Sequence, residues 1–186
     1  MLNFSKFLTA ILVCSFTLIS CSDDDGDYVP SEKNPQALSL NAVGIATAQP
    51  VQDFSIAGTG FQVTGNAFTM DFFDNSTGEK LGTLTDINVA AETFPDGSMK
   101  GENFTIFTFA KDKGTLVMHN LIDMRPVDEG TLSASIKLND ARTNLVGGTG
   151  IFEGSKGGST LNAILDMTAF ANGTVGFDCV YNITLK

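Results

Sequence analysis

The chain has no tryptophan, one histidine, three cysteines and five prolines in 186 residues. Each scarcity excludes something. A single histidine and dispersed cysteines cannot make a zinc site of the usual Cys/His spacing, so no metal is expected. Cys14 lies inside an apolar leader and Cys21 at its end, which leaves Cys179 alone in the remainder. An intrachain disulfide framework is therefore ruled out. Cys179 sits in the strand-like run V-G-F-D-C-V-Y-N-I-T-L and reads as a small buried hydrophobe. Eleven Lys and Arg stand against 21 Asp and Glu, for a formal net charge of −10. Such a surface repels phosphate backbones, and nucleic acid is not an expected partner. The bland consequence of that charge is solubility.

What is present points to strands. Fifteen Phe accompany many Thr, Val and Ile, and 19 Gly supply turns and bulges. The chain divides into a leader (residues 1–20), a polar acidic tether (21–37) and one domain (38–186). In the leader, Lys6 is the only charge ahead of an apolar run too short to cross a bilayer, as in a secretory signal. The tether, S-D-D-D-G-D-Y-V-P-S-E-K-N-P-Q-A after Cys21, cannot pack into a core and reads as a flexible linker.

From Leu38 onward the pattern gives short strands and no helix. Runs at 38–46, 54–63 (interrupted by Gly58-Thr59-Gly60), 68–74, 80–89, 104–109, 115–122, 131–138, 159–167 and 175–185 are bounded by turn signals. Among the turns are Asn75-Ser-Thr-Gly78, Pro95-Asp96-Gly97 and Asp112-Lys-Gly114, while residues 124–130 read as a loop. Eight to ten short antiparallel strands predict an all-β single barrel or sandwich. Closure is favoured because an open sheet would expose its edges. Residues 144–166 interrupt the pattern with Gly147, Gly148, Gly150, Gly154, Gly157 and Gly158. This spacing predicts a barrel corner where one strand bends. Gly58-Thr-Gly60-Phe61 echoes Gly148-Thr-Gly150-Ile-Phe152, without amounting to a repeat.

Few residues carry chemistry. Alternation puts Val117, His119, Leu121 and Asp123 on one face of a strand. In a lumen, His119 and Asp123 would form an acid/base pair; on the outside they are an ordinary solvated face. Asp71, between Met70 and Phe72, has the same two readings. The Gly-Thr-Gly clusters lack the helix start or basic residue that a phosphate cradle needs. Asn75, Asn103, Asn172 and Asn182 each begin an Asn-x-Ser/Thr triplet, which Thr-rich strands generate by chance. Acidic residues dense enough for calcium occur only at 23–27, within the tether. No cofactor is expected.

Two resemblances add to this. Leu18-Ile19-Ser20-Cys21 resembles the lipobox of bacterial lipoproteins. The resemblance implies cleavage between Ser20 and Cys21, acylation of Cys21, and outer-membrane lipid as a partner. The competing reading is an ordinary signal peptide cut near Ser20. Ser22-Asp-Asp-Asp25 behind the cysteine resembles the acidic export signal of surface-exposed bacteroidete lipoproteins. Second, Leu145-Val-Gly-Gly-Thr-Gly-Ile-Phe-Glu-Gly154, with Gly157 close behind, resembles the glycine-rich signature of allene oxide cyclases and the G-G-T-G-x-F motif of dirigent proteins. That resemblance implies a closed eight-stranded antiparallel barrel and a homo-oligomer, since relatives form trimers. The signature is architectural, and no catalytic position of those families transfers to this chain. The expected function is a lipid-anchored envelope protein, more a binder of a small apolar ligand or surface partner than an enzyme. The alternatives are an isomerase- or cyclase-like activity in the lumen and a structural or adhesive role.

Overall fold

The computed structural model describes residues 37–137 and 140–186. The leader, Ser20, Cys21 and the tether up to residue 36 lie outside the described residues. Ten strands follow one another: β1 (Ala37–Thr47), β2 (Gln49–Ser55), β3 (Gln62–Asp74), β4 (Lys80–Thr93), β5 (Met99–Phe109), β6 (Gly114–Asp128), β7 (Thr131–Ile136), β8 (Leu145–Gly148), β9 (Gly157–Asp166) and β10 (Thr174–Leu185). Two short 3-10 turns, Gly150–Phe152 and Phe170–Asn172, complete the described elements.

All pairings are antiparallel. The order β1-β10-β9-β7-β6-β5-β4-β3 closes on itself when Leu40, Asn41 and Ala42 of β1 pair with Asp74, Phe73 and Phe72 of β3. The result is a closed eight-stranded barrel: closure is what edge protection favours, and eight is the strand number that the glycine-rich resemblance implies. The other two strands lie off the barrel. β2 pairs the first half of β3, and β8 pairs Leu116, Val117 and Met118 of β6.

Three local expectations need correction. Residues 54–63 are not one strand: β2 ends at Ser55, a loop crosses 56–61, and β3 begins at Gln62. Gly58 there has φ 75°, which breaks any strand. Residues 124–130 are not a loop, because β6 runs to Asp128 and pairs β7. The glycine stretch is not one bent strand. It is β8, a 3-10 turn and then β9, which leaves for different neighbours, β7 and β10.

Two apolar clusters hold the fold. Alternation sends Leu40, Phe72, Leu84, Phe107, Leu116 and Ile183 into the barrel, each at most 1% exposed. Burying side chains of this size contributes about 1.5–3 kcal/mol each. One end of the barrel is plugged by rings. Phe72 meets Phe107 and Phe109 edge-on at 5.0 Å, and Phe109 lies 4.6 Å from Phe152 of the 3-10 turn. The second cluster is outside the wall: Ile56, Val63, Ile87, Phe104, Ile106 and Val117 pack together there. The 56–61 loop and β8 cover this patch, so the middle of β5 is buried on both faces.

β7 is short, and its end would leave a gap between β6 and β9. Asn144 seals it. Its carbonyl accepts from the His119 backbone N–H of β6 at 2.8 Å, and its Oδ1 accepts from the Ser159 backbone N–H of β9 at 2.7 Å. One residue, through its backbone carbonyl and its side chain, thus does for two strands what a ladder residue would do.

Candidate functional site: a cavity in the barrel lumen

Away from the aromatic plug the lumen opens into a cavity of about 440 Å³. Its walls are mostly apolar, drawn from Phe68, Met70, Leu161, Val175 and Phe177 among others. Met99, Met124, Met167 and Phe170 line it toward the open end, where Phe170 is half exposed on its 3-10 turn. Methionine's flexible thioether suits a surface that must adapt to what it meets.

One wall is polar. Asn66, Asn88, Asn103 and Asn120 stand opposite one another on the adjacent strands β3, β4, β5 and β6. The first three line the cavity. Beside them Asp86 of β4 is buried, and two donors hold it. Asn103 Nδ2 donates to Asp86 Oδ2 at 2.6 Å, and Thr105 Oγ1 donates to Asp86 Oδ1 at 2.7 Å. The chain continues through the core. Asn120 Nδ2 donates to Thr105 Oγ1 at 2.9 Å, and Asn144 Nδ2 donates to Asn120 Oδ1 at 2.6 Å and to Ser159 Oγ at 3.1 Å. Hydrogen bonds that link one buried polar group to the next make such a network tolerable in a core.

Burial pushes the Asp86 carboxyl above the usual carboxylate range, against the opposing pull of its bonds from Thr105 and Asn103. Burial also raises the Tyr181 phenol well above its ordinary value, with Cys179 and Asp86 adding to the effect. Cys179, which lines the cavity, is pushed up to about 12, by burial first and then by the charges of Asp86 and Asp178. It is a buried free thiol and a poor nucleophile. Among the described residues, no group of three or more His, Cys, Asp or Glu is placed to hold a metal ion.

The residues singled out in the sequence are elsewhere. Asp71 is outside the wall, about half exposed, with Lys80 Nζ 2.7 Å from its Oδ2. His119 and Asp123 do share a face of β6, but it is the outer one, since Met118, Ile122 and Met124 take the inside. His119 stacks on Phe104 at 4.4 Å between ring centres, and its Nε2 lies 2.8 Å from Glu102 Oε1. Asp123 stands in register with Lys100 of β5 and Ser135 of β7. None of the three reaches the lumen, so a lumen acid/base pair from His119 and Asp123 is not formed. Gly147 and Gly148 lie in β8, Gly150 opens the 3-10 turn, Gly154 follows it, and Gly157 starts β9. All serve the architecture.

The polar wall is what sequence reading missed. Its trace is present in G-E-N-F-T-I-F-T-F, where Asn103 and Thr105 alternate with Phe104 and Ile106. That signal cannot be oriented from sequence, because both faces of β5 are apolar and buried here.

No family model matches the chain, and no curated protein matches it. Among solved structures it is similar to one described as pyocyanin demethylase, with 17% identity, 81% of this chain and 99% of that chain covered, and a TM-score of 0.34.

Proposed function

We propose that the barrel binds a small, largely apolar molecule in its lumen. The cavity of about 440 Å³, apolar over most of its wall and open at one end, carries this reading. Eight-stranded barrels either fill with their own side chains or hold one small ligand. Here the plug fills only one end. Thermal shift of the purified domain against a library of small apolar compounds tests it. Binders that raise Tm, and whose effect is lost when Ala163→Phe or Val175→Phe fills the lumen, are the expected result. A well-folded domain that answers to none of them overturns the reading.

A second reading is favoured by one observation, a buried carboxyl in the cavity wall. Asp86, held by Asn103 and Thr105, would serve as a proton donor in an isomerase- or cyclase-like reaction. Turnover of a bound ligand that disappears in Asp86→Asn while binding persists is its signature; unchanged turnover in that variant excludes it.

The cellular setting proposed for this activity is the outer surface of the envelope, with the domain tethered through an acylated Cys21. Ser20-Cys21 at the end of the apolar run and the acidic residues behind it support this. Metabolic labelling with a fatty-acid probe should mark the protein and fail in Cys21→Ser. The glycine stretch around Gly147–Gly148 and the closed barrel support kinship with the allene oxide cyclase and dirigent barrels as part of the same proposal.

A further inference from the structure

The polar wall of the lumen has one atom left over. Asn103 is 8% exposed and its Nδ2 is committed to Asp86, but its Oδ1 is buried without a hydrogen-bond partner among the described residues. A buried acceptor in that condition is costly until a donor reaches it. Asn103 lines the cavity, so the donor can come from an occupant. A Cβ built on Gly101 would stand 3.4 Å from Asn103 Oδ1 and 3.5 Å from Asn88 Nδ2. The two amides therefore converge over the bare backbone of Gly101, with an acceptor and a donor side by side. That pair matches a hydroxyl or an amide, each of which can give one hydrogen bond and take another.

The wall also selects on charge. None of the side chains lining the cavity is Lys, Arg or His, and Asp86 is its one carboxyl. A carboxylate ligand would bury its charge in a mostly apolar cavity with no cation to balance it. A cation would find both Asp86 oxygens already engaged by Asn103 and Thr105.

We propose that the lumen takes an uncharged, mostly apolar molecule bearing a hydroxyl or amide N–H, which it donates to Asn103 Oδ1 beside Asn88. This rests on the reading that the lumen binds an apolar ligand, and names its class: apolar alcohols, phenols or amides, and not fatty acids.

The test is a series with one apolar body and different heads: 2-naphthol, 2-methoxynaphthalene, 2-naphthoate and 2-naphthylmethylammonium, measured by titration calorimetry on the full domain. The expected result is 2-naphthol binding about ten-fold or more tighter than 2-methoxynaphthalene, with both charged probes weaker than 2-naphthol, since one unsatisfied buried acceptor is worth a factor of that order. Two variants locate the effect. Asn103→Leu removes the acceptor at similar size. Gly101→Ala leaves both amides in place and inserts a methyl between them. Its backbone is not among those with positive φ, and its nearest neighbour is the flexible tip of Met124, so folding is expected to survive. Both variants should bring 2-naphthol and 2-methoxynaphthalene to within about three-fold of each other, Gly101→Ala carrying the point if Asn103→Leu does not fold. Equal binding of 2-naphthol and 2-methoxynaphthalene to the wild type, tighter binding of a charged probe, or a preference that persists in a folded Gly101→Ala overturns the inference and leaves the apolar-ligand reading standing. Binding of none of the four, together with no hit in the wider library, removes both.

Discussion

Gly58 and Gly148 touch backbone to backbone: a Cβ on Gly58 would overlap the Gly148 carbonyl and stand 2.9 Å from Thr149 Cγ2. The contact is reciprocal in the neighbouring residue, where a Cβ on Gly147 would overlap the Gly58 carbonyl. The two Gly-Thr-Gly segments that echo one another in the sequence thus meet in space. Their meeting clamps the 56–61 loop and β8 over the outer apolar cluster. Gly58→Ala adds both this overlap and an unfavourable φ of 75°. It should cost about 2–4 kcal/mol and be visible as a large fall in urea midpoint at unchanged m. Ala at Gly60, which has no atom near its would-be Cβ, is the control that should change little.

Asn144 is the second point of leverage. Asn144→Ala strips the Ser159 N–H of its acceptor and Asn120 Oδ1 of its donor, all in the buried core. A loss of about 2–4 kcal/mol is expected, which for a domain of this size lowers Tm by roughly 5–15 °C. Hydrogen exchange should show the Ser159 amide exposed well before the rest of β9.

Asp86 sets a pH dependence whose sign follows from its raised native value. Between the unfolded carboxylate value and that raised value, the native state holds the proton and the unfolded chain does not. Stability therefore falls as pH rises through this window, and the cost of the buried charge is present in full above it. Asp86→Asn keeps a partner for Thr105 and removes the charge. Its Tm should gain on the wild type as pH rises above the ordinary carboxylate value of about 4, the difference being smallest at the acid end. A difference independent of pH would show that the charge is not the cause.

Cys179 should be inert while the barrel is folded. With its thiol pushed to about 12, thiolate at about pH 8 is on the order of a thousand-fold scarcer than for a free cysteine. Alkylation by iodoacetamide should proceed only after urea unfolds the domain, and a lumen ligand should slow it further under partly denaturing conditions.

Phe170 offers a test of the cavity mouth. It is half exposed, so Phe170→Ala should leave Tm within about 2 °C of the wild type, as surface changes usually do. Affinity for an apolar lumen ligand should weaken several-fold, because the ring forms part of the cavity lining. Loss of affinity with a collapsed Tm would point to a structural role instead.

The strand-rich composition, the turns at Asn75–Gly78 and Pro95–Gly97, and the alternation along β3, β5 and β10 are local features, and they sufficed for an all-β barrel or sandwich, with closure favoured by the need to protect edges. Local pattern failed where covering elements changed the rules. Phe104 and Ile106 look like core residues beside Asn103 and Thr105, and all four are buried, on opposite faces of one strand. Period-two alternation identifies two faces without naming the inner one when a loop and β8 hide the outer. His119 and Asp123 were legible as one face for the same reason, and their side of the wall was not. Only barrel closure, with β1 meeting β3 and Phe152 turning under one end, settles which side is the lumen and leaves the other end open. A sequence read through nearest neighbours determines strands and turns. The convergence of Asn66, Asn88 and Asn103 with Asp86 on one wall depends on register between strands, which non-local hydrogen bonding sets.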